Sequence, residues 1–114
     1  MNLPESTKKM VEVKLAKYCG DVVSEHLHNI AKLNFSITKN KVSLYEERLS
    51  RVYPPFWVKI YVAQFRYEGD TGDWTLYWAD RNAKWHMYTE TELKTNFDKL
   101  LKEVDEDPSG IFWG

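Results

Sequence analysis

The feature that most restricts this chain is a long stretch of period-two alternation between Leu33 and Tyr88, cut into short runs by brief turns. Leu33, Phe35 and Ile37 alternate with Asn34, Ser36 and Thr38, which is the spacing of a strand with one face buried. Lys39-Asn40 suits a two-residue hairpin turn, because Asn tolerates the positive φ such turns demand. The chain returns over residues 41–48 with Val42 and Leu44 inward and Ser43 and Tyr45 outward. Further runs fall at 59–68, 74–79 and 84–88, joined by Gly69-Asp70-Thr71-Gly72-Asp73 and Asp80-Arg81-Asn82-Ala83. On the fourth run Trp74, Leu76 and Trp78 share one face, and Thr75 and Tyr77 the other. Connections this short force antiparallel neighbours, since a parallel pair needs a crossover of about a dozen residues. The alternation therefore predicts a five-stranded antiparallel meander. Its one interruption is residues 49–57, where Pro54-Pro55 excludes a central strand. That stretch reads as a loop carrying exposed Tyr53, Phe56 and Trp57.

Helical periodicity flanks the strands, so the fold class is α+β. Val11, Leu15, Tyr18 and Cys19 recur at helical spacing after Pro4, predicting a helix over residues 5–19. Gly20-Asp21 then interrupts it, and Asp21 would cap a short second helix over 22–30. After the sheet, Thr89 and Glu92 offer a capping box. Leu93, Phe97, Leu100, Leu101 and Val104 follow on one helical face, which is expected to pack on the sheet, and Pro108 stops the helix. The tail from Ser109 to Gly114 is apolar enough to dock on the sheet or on a second subunit.

A chain of 114 residues fits one domain. Its net charge of −1 supplies no global pull toward nucleic acid or an anionic membrane. The single cysteine, Cys19, excludes an internal disulfide and a thiolate zinc site, and its apolar helical setting reads as a buried, inert thiol. Neither an apolar leader nor a run of the roughly 20 residues a bilayer demands is visible, so a cytoplasmic protein without a membrane partner is expected. No cofactor motif and no small-molecule site is evident.

A block of residues resembles a known family. It begins with Ala63-Gln64-Phe65-Arg66-Tyr67 and Gly72-Asp73-Trp74-Thr75-Leu76-Tyr77-Trp78, and continues from Asp80 to Tyr88 through Lys84-Trp85-His86. It closes with Leu101 to Gly114, ending Gly-Ile-Phe-Trp-Gly, and Glu46-Glu47-Arg48 resembles an element that precedes it. These residues, about the last two-thirds of the chain, are similar to the bacterial domain-of-unknown-function family number 3024. The resemblance implies a small bacterial protein and brings no activity with it.

Three sets of residues are candidates for chemistry or binding. Arg66, Arg81, Lys84, His86 and Tyr88 fall on or between adjacent strands. An Arg or Lys can hold a phosphate while a His or Tyr moves a proton, as in small ribonucleases. The competing reading is a solvated sheet face beside buried Trp74, Trp78 and Trp85. His26 and His28 are two apart, which on a helix sends them to different faces. The acidic run Glu103, Asp105, Glu106 and Asp107 sits at a helix C-terminus, where the macrodipole disfavours it by about 0.3–1 kcal/mol per group. Arg48, Arg66 or Arg81 would offset it by a structural ion pair with Asp105 or Asp107. Alternatively Asp107-Pro108-Ser109-Gly110 forms a turn in which the carboxylate accepts from backbone amides. A metal-dependent enzyme built on Asp105, Asp107 and His86 is the remotest option, and no metal site is assigned.

The aromatic content of 15% includes five Trp and seven Tyr, which is more than an ordinary core uses. Tyr45, Tyr67, Tyr77 and Tyr88, with Tyr53, Phe56 and Trp57 of the loop, make a possible platform. The sequence thus favours a non-enzymatic domain that binds protein, itself included, through Tyr53, Phe56, Trp57, Phe112 and Trp113. Nucleic-acid binding through the basic and aromatic sheet residues is the alternative.

Overall fold

A computed structural model describes residues 2–22, 31–49 and 56–113. The elements run α1 (Glu5–Val22), β1 (Ala31–Thr38), β2 (Lys41–Leu49), β3 (Trp57–Glu68), β4 (Asp73–Ala79), β5 (Trp85–Met87) and α2 (Phe97–Glu106). The strands form one antiparallel sheet in sequence order, β1-β2-β3-β4-β5, so the expected α+β meander is the fold. Both helices pack on the same face of it. Val11 and Leu15 of α1 and Phe97, Leu100 and Val104 of α2 join Val42, Leu44, Phe65 and Leu76 of the sheet in one core. Side contacts link the two helices: Lys14 pairs with Asp98 at 2.5 Å, and the Tyr18 hydroxyl donates to Asp105 at 3.1 Å.

Three boundaries differ from the expectation. α1 runs on through Gly20 to Val22, since a single glycine near a helix end costs only about 1 kcal/mol. Of the second helix expected over 22–30, all but Val22 lies outside the described residues, as do His26, His28 and Tyr53. Trp57 is not in a loop but opens β3.

The third difference is the start of α2, which begins at Phe97 rather than after Thr89. Thr95 exchanges two backbone hydrogen bonds with Trp74, at 2.7 and 3.1 Å, which commits the preceding segment to the edge of β4. Asn96 then caps the helix, its side chain accepting from the Lys99 N–H at 2.9 Å. Leu93 precedes the helix and is 52% exposed, while Leu100 is wholly buried in the place expected of it.

One irregularity sets which side chains share a face. The β2–β3 register slips between Leu44 and Tyr45, so that Leu44 pairs with Ala63 and Tyr45 with Tyr61. Val62 is the extra residue of this bulge. Below the bulge Tyr61, Lys59 and Trp57 therefore lie on the sheet face opposite the helices, with Gln64 and Arg66. Ile60 and Val58 fall on the helix side.

Candidate functional site

β3 is twelve residues long, but β4 pairs with only its second half, from Gln64 opposite Tyr77 to Glu68 opposite Asp73. Residues 57–63 have β2 on one side and no strand on the other among the described residues. The gap beyond the end of β4 forms a cleft of about 480 Å³. Lys59, Ile60 and Tyr61 line it on one side, Asp80 and Arg81 on another, and Ile111 with Trp113 from the C-terminal turn on a third.

The turn that carries Ile111 and Trp113 is built by Asp107. This residue ends α2 in the left-handed region, at φ 43°, and its own N–H donates to the Glu103 carbonyl at 2.9 Å. One carboxylate oxygen accepts from the Phe112 N–H at 3.1 Å and the other from the Trp113 N–H at 2.9 Å. The indole N–H of Trp113 donates to the Val104 carbonyl at 2.9 Å. The tail thus folds back onto its own helix. Phe112 is buried against Tyr88, with ring centroids 5.0 Å apart, and is not a free contact residue. Trp113 remains partly exposed.

Apolar side chains stay in solvent at the start of this strand: Phe56, just before β3, is 68% exposed, and on the helix side of β3 Val58 is 44% and Ile60 46% exposed. Ile60 meets Ile111 and Trp113 across the cleft. Exposed apolar side chains next to an unpaired strand edge are a combination that monomeric sheet proteins usually avoid.

The basic set read from sequence does not assemble. Arg66 pairs with Thr75, and Tyr77 of the same face pairs with Met87, which places Arg66 opposite the helices. His86 pairs with Trp78 on the helix side and stacks on it at 4.7 Å. Arg66 and His86 are therefore on opposite faces, so a phosphate cannot be shared between them. Tyr88 is buried, donating to Glu103 at 2.7 Å. Arg81 and Lys84 sit in the exposed β4–β5 turn, which Asp80 organises by accepting from the Asn82 and Lys84 N–H groups at 2.8 and 3.0 Å. The His86 ring lies 2.7 Å from the same carboxylate, and this bond, with the Lys84 amide next, holds Asp80 down at about 2.

The ion pairs proposed for the acidic helix end do not form either. Arg48 pairs with Glu46, Asp105 accepts from Tyr18, and Asp107 serves the backbone turn. The turn was the alternative reading of that stretch, and it holds. With Asp105, Asp107 and His86 each engaged separately, no group of three or more His, Cys, Asp or Glu among the described residues is placed to hold a metal. Two aromatic assignments also change: Trp85 lies on the open face with Tyr61, not in the core, and Tyr67 packs inward on Trp74 at 5.1 Å. Burial pushes the Cys19 thiol up to about 11, so it stays protonated at neutral pH.

Burial, with the Glu103 hydrogen bond second, pushes the Tyr88 hydroxyl up to about 12. Since an unperturbed tyrosine titrates near pH 10, the folded state favours the protonated form. This contribution to stability is complete below about pH 10 and is lost as pH rises through about 12. Urea unfolding across that window should show stability falling with pH, and Tyr88→Phe should flatten the decline.

A family model described as "Domain of unknown function (DUF3024)" matches residues 3–114. The chain belongs to that family. The DUF3024 match reaches back over α1, well beyond the last two-thirds of the chain. No curated protein and no solved structure matches it. The site residues of this DUF3024 chain follow from its geometry alone. None of its described helices is long and apolar enough to cross a membrane.

Proposed function

We propose that the chain is a non-enzymatic protein-interaction domain whose contact element is the unpaired half of β3. One observation carries the reading: Phe56, Val58 and Ile60 stand in solvent beside a strand edge that no described residue pairs. An extended segment of a partner, or of a second copy, can add alongside that edge and take backbone hydrogen bonds from it. Ile60, Ile111 and Trp113 would receive its alternate side chains. Trp113 is among the residue types that dominate binding energy at interfaces, and its indole is already fixed by the bond to Val104. Of the contact residues expected from sequence, Phe56 and Trp113 remain in this reading, and Trp57 lies on the opposite face.

The test is site-specific photocrosslinking in the source cells. One probe replaces Ile60, and the other replaces Val13, which is 71% exposed on α1 and is not part of the cleft lining. A discrete adduct is expected from position 60 alone, and it should disappear when Val58→Glu is added. Adducts of the same pattern from both positions, or none from either in a chain with wild-type circular dichroism, would remove the proposal.

A further inference from the structure

The sheet face turned away from the helices carries a feature that strand addition does not use. Register places Lys32, Glu47 and Lys59 in one row across it, and Tyr45 and Tyr61 in the next. Lys41 and Arg66 lie toward the other end. The Tyr45 and Tyr61 rings meet edge to face at 6.1 Å, and Tyr61 meets Trp85 at 5.5 Å. The small side chain of Ala79, which pairs with Trp85, leaves room for that second contact across β4.

Cations sit on these rings. Lys59 Nζ is 4.2 Å from the Tyr45 centroid and 6.0 Å from that of Tyr61, and Lys32 Nζ is 4.7 Å from Trp57. The Arg66 guanidinium lies 3.7 Å over Tyr77. It is aimed by a chain of hydrogen bonds: Arg66 Nε donates to Gln64 Oε1 at 2.7 Å, and Gln64 Nε2 donates to Ser43 Oγ at 3.0 Å. Gln64 itself is buried. Among the described residues none of Lys32, Lys41, Lys59 and Arg66 is in an ion pair. The acids of this face are Glu47, between Lys32 and Lys59, and Glu68 with Asp73 at the β3–β4 turn.

We infer that this face binds single-stranded nucleic acid, with phosphates on Lys32, Lys59 and Arg66 and bases on Tyr61 and Trp85, the two rings that no cation covers closely. The balance of charge runs mildly in the required sense. The face sets Lys32, Lys41, Lys59 and Arg66 against Glu47, Glu68 and Asp73, whereas α1 and α2 on the far side together carry six basic and seven acidic residues. Ring faces beside cations give a strand both its stacking surface and its counter-charge, and every base has a face to stack. A helix-backed antiparallel sheet with aromatics on the face that neither described helix covers is also a geometry on which two or three bases can lie side by side. A duplex keeps its base faces stacked inside and cannot use these rings. An acidic protein would satisfy the cations alone.

Fluorescence anisotropy decides this, using labelled oligo(U), oligo(dT) of equal length and a DNA duplex, each titrated with the whole chain at several salt concentrations. Binding of one or both single strands is expected, with the logarithm of affinity falling against that of salt at a slope of about −2 to −3 for three or four phosphates. Preference for oligo(U) over oligo(dT) would assign RNA, and the reverse DNA. Tyr61→Ala or Trp85→Ala should weaken binding roughly 5- to 150-fold. Lys59→Gln, a solvent-side change that leaves the fold intact, should lower both affinity and slope, whereas Lys102→Gln on α2 should change neither. No single-strand binding at low salt, equal binding of the duplex, or full competition by polyglutamate with no effect of Tyr61→Ala would each overturn the assignment, the last in favour of an acidic protein partner. Ile60 and Val58 face the other way, so this experiment and the crosslinking test fail independently.

Discussion

Phe65→Ala is expected to destabilise the chain by about 3–5 kcal/mol, the range for removing a buried aromatic ring. Phe65 is wholly buried, and its ring lies 4.8 Å from that of Phe97. Phe97 in turn packs on Trp74 at 5.1 Å, so one ring cluster joins β3, β4 and the first turn of α2. Alanine would leave a cavity at the point where both strands and the helix meet, and a wholly buried neighbourhood has little freedom to collapse into it. Domains of this size are stable by only about 5–15 kcal/mol. The variant should therefore unfold at a markedly lower urea concentration, with the dependence on urea unchanged if the transition stays two-state. A loss below about 1 kcal/mol would mean that α2 does not rest on β3 as described.

Asp107→Ala should cost about 2–3 kcal/mol, an unusually large effect for a half-buried residue near a chain end. Two terms add. Each carboxylate oxygen holds a different backbone N–H, and hydrogen bonds to a charged group contribute about 1.5–3 kcal/mol. Asp107 also adopts a positive φ, which Asn and Asp tolerate better than alanine does. Asp107→Asn keeps the backbone preference and one acceptor oxygen, so it should fall between wild type and alanine. Near-ultraviolet circular dichroism reads the same event through Trp113, whose indole is fixed only while the turn holds it against Val104. An alanine variant with wild-type stability and an unchanged tryptophan signal would contradict the role given to this carboxylate.

How much of this was legible in the sequence follows from which residues carry a repeating signal. The run from Leu33 to Ile37 alternates cleanly because one side of β1 is buried and the other wet, and its register with β2 follows. The meander order needed only the short turns. The outer half of β3 was harder, because Trp57-Val58-Lys59-Ile60-Tyr61 puts large apolar groups on both faces, and alternation then has nothing to distinguish. That lack of contrast was itself the available sign of an exposed, unusual strand. Trp85 was misplaced because β5 is three residues long and all of them are bulky. The start of α2 was missed because a capping box is a local signal. The Thr95 bridge to Trp74 is a tertiary contact that outweighs it. The proposed binding surfaces were the least legible part. The split of Arg66 from His86 and the grouping of Tyr61 with Trp85 depend on strand register and on one extra residue in β3, neither of which residue type reveals.

The placement of α1 beside α2 has a consequence for biosynthesis. These helices are separated by the whole sheet in sequence, yet Val11 and Leu15 share their apolar surroundings with Leu100 and Val104. Until the latter part of the polypeptide has left the ribosome, the sheet has only half its cover, and Phe65 and Leu76 lack the neighbours that shield them. Closure of such distant partners is slow compared with local hairpin formation. A nascent chain would therefore spend its waiting time with a sticky surface uncovered, and its yield in cells should depend more on chaperone capacity than its final stability suggests.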